Sequence, residues 1–249
     1  MGIPLFIIYG NDSSGTGRSQ AESGEVQAST GVSEAAREPK LKVARVAAYI
    51  EGGIDGTERI TPEAEPVKAK DLYGPHLDVT FENRAPGPSL ITKATLRLRE
   101  AGNLPGCHPS GGGLGISMNY DFPMPLELPK TPYEKTKDIS FTVEDNKLDR
   151  LTLTMGPETV GWGSAWYGVV DVIFEHDGTR TTVGPVAVVD TGSDGQFYPQ
   201  GDTWVIENVN DPACLDETAA LVDRLASIPD VTVSKELTSL RDKLTSMGH

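Results

Sequence analysis

The chain has 249 residues, a formal net charge of −14 and only 37% apolar residues, with 27 glycines and 18 prolines. This composition excludes a collagen repeat or a long coiled coil and disfavours an all-helical bundle. No basic stripe is present to displace phosphate counterions, which argues against nucleic acid as a partner, and two cysteines are too few for a disulfide scaffold or a zinc site.

Gly2 to Tyr9 form a short apolar run, well under the roughly 20 residues a membrane-spanning helix needs. Two readings stand: a first strand, or the outer end of a spanning helix that begins upstream, which would make this the only route to a membrane. Residues 10–40 are polar, with Val26 and Val32 the only large aliphatic groups, and cannot bury enough surface to offset their ordering entropy. Residues 1–40 are therefore expected to be an apolar stub and flexible linker. Asp12-Ser-Ser-Gly-Thr-Gly17-Arg18-Ser19 resembles a phosphate-binding loop only loosely. Asp12 stands where the leading glycine belongs, Arg18 where the lysine belongs, and no amphipathic helix follows.

From about 41 to 190 the hydrophobic pattern has period two. Leu77, Val79 and Phe81 alternate with Asp78 and Thr80; Ala94, Leu96 and Leu98 alternate with Thr95 and Arg97. Ile139, Phe141 and Val143 behave likewise, as do Leu151, Leu153 and Met155. Such strands place apolar side chains on one face and pair in antiparallel sandwiches. Ala85-Pro-Gly-Pro-Ser89, Asp145-Asn146 and Asp177-Gly178 punctuate them, the last as a type I′ hairpin signal. Asp55-Gly56 is a further expected turn. The reading is a mainly β, Ig-like antiparallel sandwich of seven or eight strands over 41–200, with a C-terminal helical hairpin over 211–249.

Leu77-Asp-Val-Thr-Phe-Glu-Asn-Arg-Ala-Pro-Gly-Pro-Ser-Leu-Ile-Thr-Lys-Ala-Thr-Leu96 resembles the opening hairpin of uncharacterised Ig-like modules of actinobacterial surface and membrane-tethered proteins. Ile116–Tyr120 and Asp149–Leu153 resemble later strands of that pattern. The resemblance covers about 75–190 and implies an exterior domain; it implies no activity.

At the C-terminus Asp211-Pro212 reads as an N-cap with proline at the first helical position. Cys214, Leu215, Ala219, Val222, Leu225 and Ala226 share one face, and Ile228-Pro229 ends the helix. Ser234 caps a second helix, where Val233, Leu237, Leu240, Leu244 and Met247 form a stripe. That stripe packs on the sandwich, or alternatively serves self-association through 233–247.

Four features carry candidate chemistry. Val188-Val189-Asp190-Thr191-Gly192-Ser193 matches the strand and Asp-Thr-Gly-Ser loop of aspartic proteases, but no second copy or bracing glycine element accompanies it. Asp190 and Asp194 match two ligands of a calcium loop that lacks its bidentate glutamate. Trp162, Trp166 and Tyr167, between glycines, and Phe197 and Tyr198 are either plugs of the sandwich end or a platform for a protein or carbohydrate partner. Cys107 and Cys214 either pair with each other in an oxidising compartment or lie separately as a buried thiol and a loop thiol. His176, beside the Asp177-Gly178 turn, reads as an exposed turn residue. No cofactor is expected. The function expected is a non-enzymatic extracytoplasmic binding or structural module. The alternatives are an aspartic-type protease using Asp190, and a cytoplasmic assembly protein that associates through its last helix.

Overall fold

A computed structural model describes residues 40–249 except 59–64, 66, 106, 108–115, 119, 125–131, 158, 161–164, 193–194 and 210. Residues 1–39 of the expected stub and linker, with the phosphate-loop lookalike, and Trp162 and Asp194 lie outside the described residues. Among the described residues two sheets face each other. The first has six strands in the order β5-β7-β2-β1-β4-β8: β1 (Leu41–Glu58), β2 (Val67–Asn83), β4 (Ile116–Met118), β5 (Phe122–Met124), β7 (Leu148–Pro157) and β8 (Thr159–Val160). The second has five in the order β13-β10-β9-β3-β6: β3 (Ser89–Asn103), β6 (Tyr133–Val143), β9 (Trp166–His176), β10 (Thr179–Val189) and β13 (Thr232–Val233). A separate ribbon joins β11 (Phe197–Gln200) to β12 (Thr203–Ile206), and two helices follow, α1 (Pro212–Ala226) and α2 (Lys235–Met247).

The chain is thus mainly β, a sandwich with a helical C-terminal part. Among its seven strands of ten residues or more, β2, β3, β6 and β7 are those whose named residues alternate, and β9 and β10 are the pair on either side of the Asp177-Gly178 turn. The two sheets also hold β4, β5, β8 and β13, each two or three residues long, so the count exceeds the expected seven or eight. These short strands are too brief for alternation to show. Pairing is antiparallel apart from β5 on β7 and β13 on β10, which run parallel.

Alternation becomes a core directly. Leu77, Val79 and Phe81 of β2, with Leu153 and Met155 of β7, meet Ile91, Leu96 and Leu98 of β3 and Val170, Val172 and Phe174 of β9. Phe81 and Phe174 make an edge-to-face pair at 5.0 Å, a geometry that suits the ring quadrupoles. One side of the sandwich is closed by charge rather than by strand pairing. Lys135 Nζ on β6 donates to the Pro123 carbonyl on β5 (3.2 Å), and Lys137 pairs with Asp121. Edge lysines of this kind also discourage strand addition from another chain.

The expected turn at Asp55-Gly56 is corrected. β1 runs straight through it, with irregular register between Glu51 and Ile54 and between Ile54 and Gly56. The glycines there mark bulges, where an extra residue is left unpaired, rather than a chain reversal. The other punctuation forms turns. Asp177 and Gly178 both take positive φ (47° and 74°) between the paired residues His176 and Thr179, as a type I′ turn requires.

A second core lies on the other face of β9 and β10. Tyr167, Val169, Ala187 and Val189 pack with Trp204, Leu215, Val222, Leu225, Leu237, Leu240 and Leu244. The ends of β9 and β10 that adjoin Asp190 are therefore buried on both faces, as a continuous apolar run such as Val186–Val189 implies. Both helices start as their caps dictate. Asp211 Oδ1 accepts from Ala213 N–H (3.0 Å) and Ser234 Oγ accepts from Leu237 N–H (3.3 Å). The expected stripe of α2 is spent inside this core: Leu237, Leu240 and Leu244 are buried and only Met247 is exposed. No helix among the described residues is long and apolar enough to cross a membrane.

Candidate functional site

The end of the sandwich that carries Asp190 is a structural junction. Asp190 leaves β10 only 3% exposed. Its Oδ1 accepts from Trp166 N–H (2.6 Å) and Gly192 N–H (3.1 Å), while its own N–H donates to the Trp166 carbonyl (2.9 Å). Burial raises its pKa to about 7, against the pull of those backbone N–H groups. The carboxyl thus ties the start of β9 to the end of β10. Among the described residues no group of three or more His, Cys, Asp or Glu is placed to hold a metal.

The aromatics near this end, apart from the undescribed Trp162, lie mostly inside. Trp166, Tyr167 and Phe197 are buried, and only Tyr198 is partly exposed. Their alternate directions explain this: Trp166 faces the core between the sheets, and Tyr167 faces the helices. Tyr167 donates its hydroxyl to Glu100 Oε1 (3.2 Å), and Glu100 is in turn paired with Arg224 of α1. The Arg224 guanidinium holds the Glu100 carboxyl below its usual range against the effect of burial. Phe197 packs against Trp204 at 5.2 Å, and Trp204 Nε1 donates to the Glu236 carbonyl (2.8 Å). The Gly201-Asp202 pair between aromatic and β-branched residues was the available signal for the β11–β12 ribbon.

Cys107, just after β3, and Cys214, in the first turn of α1, form a disulfide with their Cα atoms 5.5 Å apart. Thr218 of α1 adds a bond from its hydroxyl to the Cys214 carbonyl (2.9 Å).

At the opposite hairpin, Ser89, Asp177 and His176 come together. The Ser89 hydroxyl donates to Asp177 Oδ2, and His176 Nδ1 lies 3.4 Å from the same oxygen. Burial pushes the Asp177 carboxyl up, and the Ser89 hydroxyl, the Leu90 N–H and His176 outweigh it to leave it below its ordinary value. His176 is buried, not an exposed turn residue, because it continues the inward row of Val172 and Phe174. The serine donates to the carboxylate rather than to the imidazole, so these residues lack the nucleophile–base contact of a catalytic triad. They clamp the turn to β3.

A polar concavity lies on the outer face of the first sheet. In the β1–β2–β7 register, Arg45 and Arg150 stand directly across Thr80 from each other; Ala47 and Thr152 flank Asp78 in the next row, and Tyr49 and Thr154 flank His76. Because Ala47 is small, a recess of about 260 Å³ opens between Arg45, Tyr49, Asp78, Thr80 and Arg150. Asp78 is buried and accepts from Arg150 Nη1 (3.1 Å), Thr152 Oγ1 (2.6 Å) and the Tyr49 hydroxyl. Burial, reinforced by Asp78, raises the Tyr49 pKa to about 12, so the phenol stays a donor. Its ring stacks on His76 at 5.6 Å. The Arg150 side chain is 65% exposed, and Arg45 has no ion pair or side-chain hydrogen bond among the described residues. Alternation alone marks these residues as outward-facing; the pairing register that groups them is a long-range property that no local pattern carries.

No protein-family model matches the chain, and neither a curated protein nor a solved structure does.

Proposed function

We propose that this chain is a non-enzymatic, extracytoplasmic binding module of immunoglobulin-like build, tethered to a membrane by residues ahead of its sandwich. The observation that carries the reading is the Cys107–Cys214 disulfide. Such bonds persist in oxidising compartments and are rare in the reducing cytosol. The recess on the β1–β2–β7 face supports binding, since it opens to solvent and is lined by charged and hydroxyl groups. The buried polar clusters around Asp190, Asp177 and Glu100 are engaged in joining strands and helices, which supports a non-catalytic role.

The test is a thiol count on protein recovered from its native cell, alkylated without reductant. The expected result is no alkylated cysteine and a crosslinked peptide that contains Cys107 and Cys214. Two alkylated cysteines would overturn the exterior assignment.

A further inference from the structure

We propose that the recess on the outer face of β1, β2 and β7 binds an acidic sugar residue, with Arg45 and Arg150 holding its carboxylate above Thr80. The inference rests on the binding-module reading and names its ligand class.

Three observations carry it. First, the two arginines flank a single threonine. Neighbouring strands lie about 4.8 Å apart, so side chains from the two outer strands converge on a group seated over the central one. Guanidinium groups present planar forks that match a carboxylate. Second, only one of the two arginines is internally neutralised. Asp78 fixes Arg150 through one nitrogen, whereas Arg45 has no ion pair among the described residues. The recess therefore holds one net positive charge on a chain whose net charge is −14.

Third, the rest of the lining suits a hydroxylated ring. Thr80 supplies a hydroxyl, and the Tyr49 oxygen, whose proton goes to Asp78, remains an acceptor, with Ala47 leaving the floor open. The recess of about 260 Å³ falls just under the roughly 300–1,000 Å³ of sites for drug-sized ligands. That volume fits one sugar ring better than a larger cofactor. A bare phosphate would satisfy the guanidiniums but leave these hydroxyl partners unused.

Calorimetric titration of the intact protein tests this with short galacturonate and glucuronate oligomers, their uncharged methyl esters, and inorganic phosphate. At least one acidic oligomer is expected to bind with a Kd of about 1 mM or below. Its methyl ester and inorganic phosphate are each expected to bind at least about tenfold more weakly. Arg45→Ala is expected to weaken the acidic oligomer at least about tenfold with an unchanged melting temperature, and Arg45→Lys to fall between. Equal binding of the ester, equal binding of phosphate, an unaffected Arg45→Ala variant, or no binding of either oligomer would each overturn the proposal. The thiol count on the same preparation separates the two failures. An intact disulfide without oligomer binding rejects the ligand class alone, and free thiols reject the exterior reading.

Discussion

Asp190 shows how one side chain is set by its surroundings rather than by its motif. Its carboxyl sits between two buried strand ends and titrates near pH 7, raised from 3.8 by burial. Between about pH 4 and pH 7 the folded state holds a proton that the unfolded state has lost, so stability falls as pH rises through this window and is flat above it. The shift corresponds to a loss of up to about 4 kcal/mol at about 1.4 kcal/mol per unit. Asp190→Asn keeps the acceptor for the Trp166 and Gly192 N–H groups and removes the titration. The difference in urea midpoint between variant and wild type is expected to grow in the variant's favour from pH 5 to pH 8. A constant difference would show that the carboxyl is ionised throughout. Asn83 is the second such residue. Fully buried at the corner between the sheets, it donates to the Gly87 (2.9 Å) and Val143 (3.1 Å) carbonyls and accepts from Ala85 N–H (3.1 Å). Asn83→Ala leaves those groups unmatched and is expected to cost about 2–4 kcal/mol in denaturant unfolding; a loss under about 0.5 kcal/mol would show that water replaces the amide.

At the level of elements, the helices depend on the strands beneath them. α1 is held by the disulfide, by the Arg224–Glu100 pair and by Leu215, Val222 and Leu225 in the second core. The crosslink spans 107 residues; in the entropic model a loop of that length constrains the unfolded chain by about 4–5 kcal/mol, and removal of native disulfides typically costs about 2–5 kcal/mol. Replacing both cysteines with serine is therefore expected to lower stability by about 2–5 kcal/mol, with amide exchange in α1 accelerating before that in β9. Equal exchange in both elements would mean that α1 is secured by packing alone. β10 carries its own constraint at Gly184, where φ is +127° and an added Cβ would lie 2.7 Å from Asp171 Oδ1 and 2.8 Å from the Val170 carbonyl. Only glycine fits that register shift between Val183 and Val186.

Across the whole molecule, β9 and β10 belong to both cores. Val170 and Val188 face the opposing sheet; Val169 and Val189 face the helices. The described residues accordingly belong to one compact unit. Loss of either core exposes one face of the same two strands, so unfolding is expected to be a single transition. Far-UV circular dichroism and tryptophan fluorescence, which reads Trp166 in one core and Trp204 in the other, should give coincident denaturation curves. Separate curves would show the helical layer melting on its own.

The seven long strands, the type I′ turn at Asp177-Gly178 and the two capped helices could be read from the chain because each rests on local chemistry: side-chain alternation, positive φ and orphan N–H groups. Even the second core left a trace, since Val186–Val189 is apolar on successive positions where a one-sided strand would alternate. What the tertiary structure alone decided were relations between distant segments. Burial of Tyr167 and Phe197 depends on the helices that cover them, burial of Trp166 on the opposing sheet, and the bulges of β1 at Gly52–Gly56 on the register of β2. The grouping of Arg45, Asp78 and Arg150 arises from three strands that meet across more than a hundred residues. Local sequence sets which way a side chain points from its own strand; only packing and register determine what it meets there.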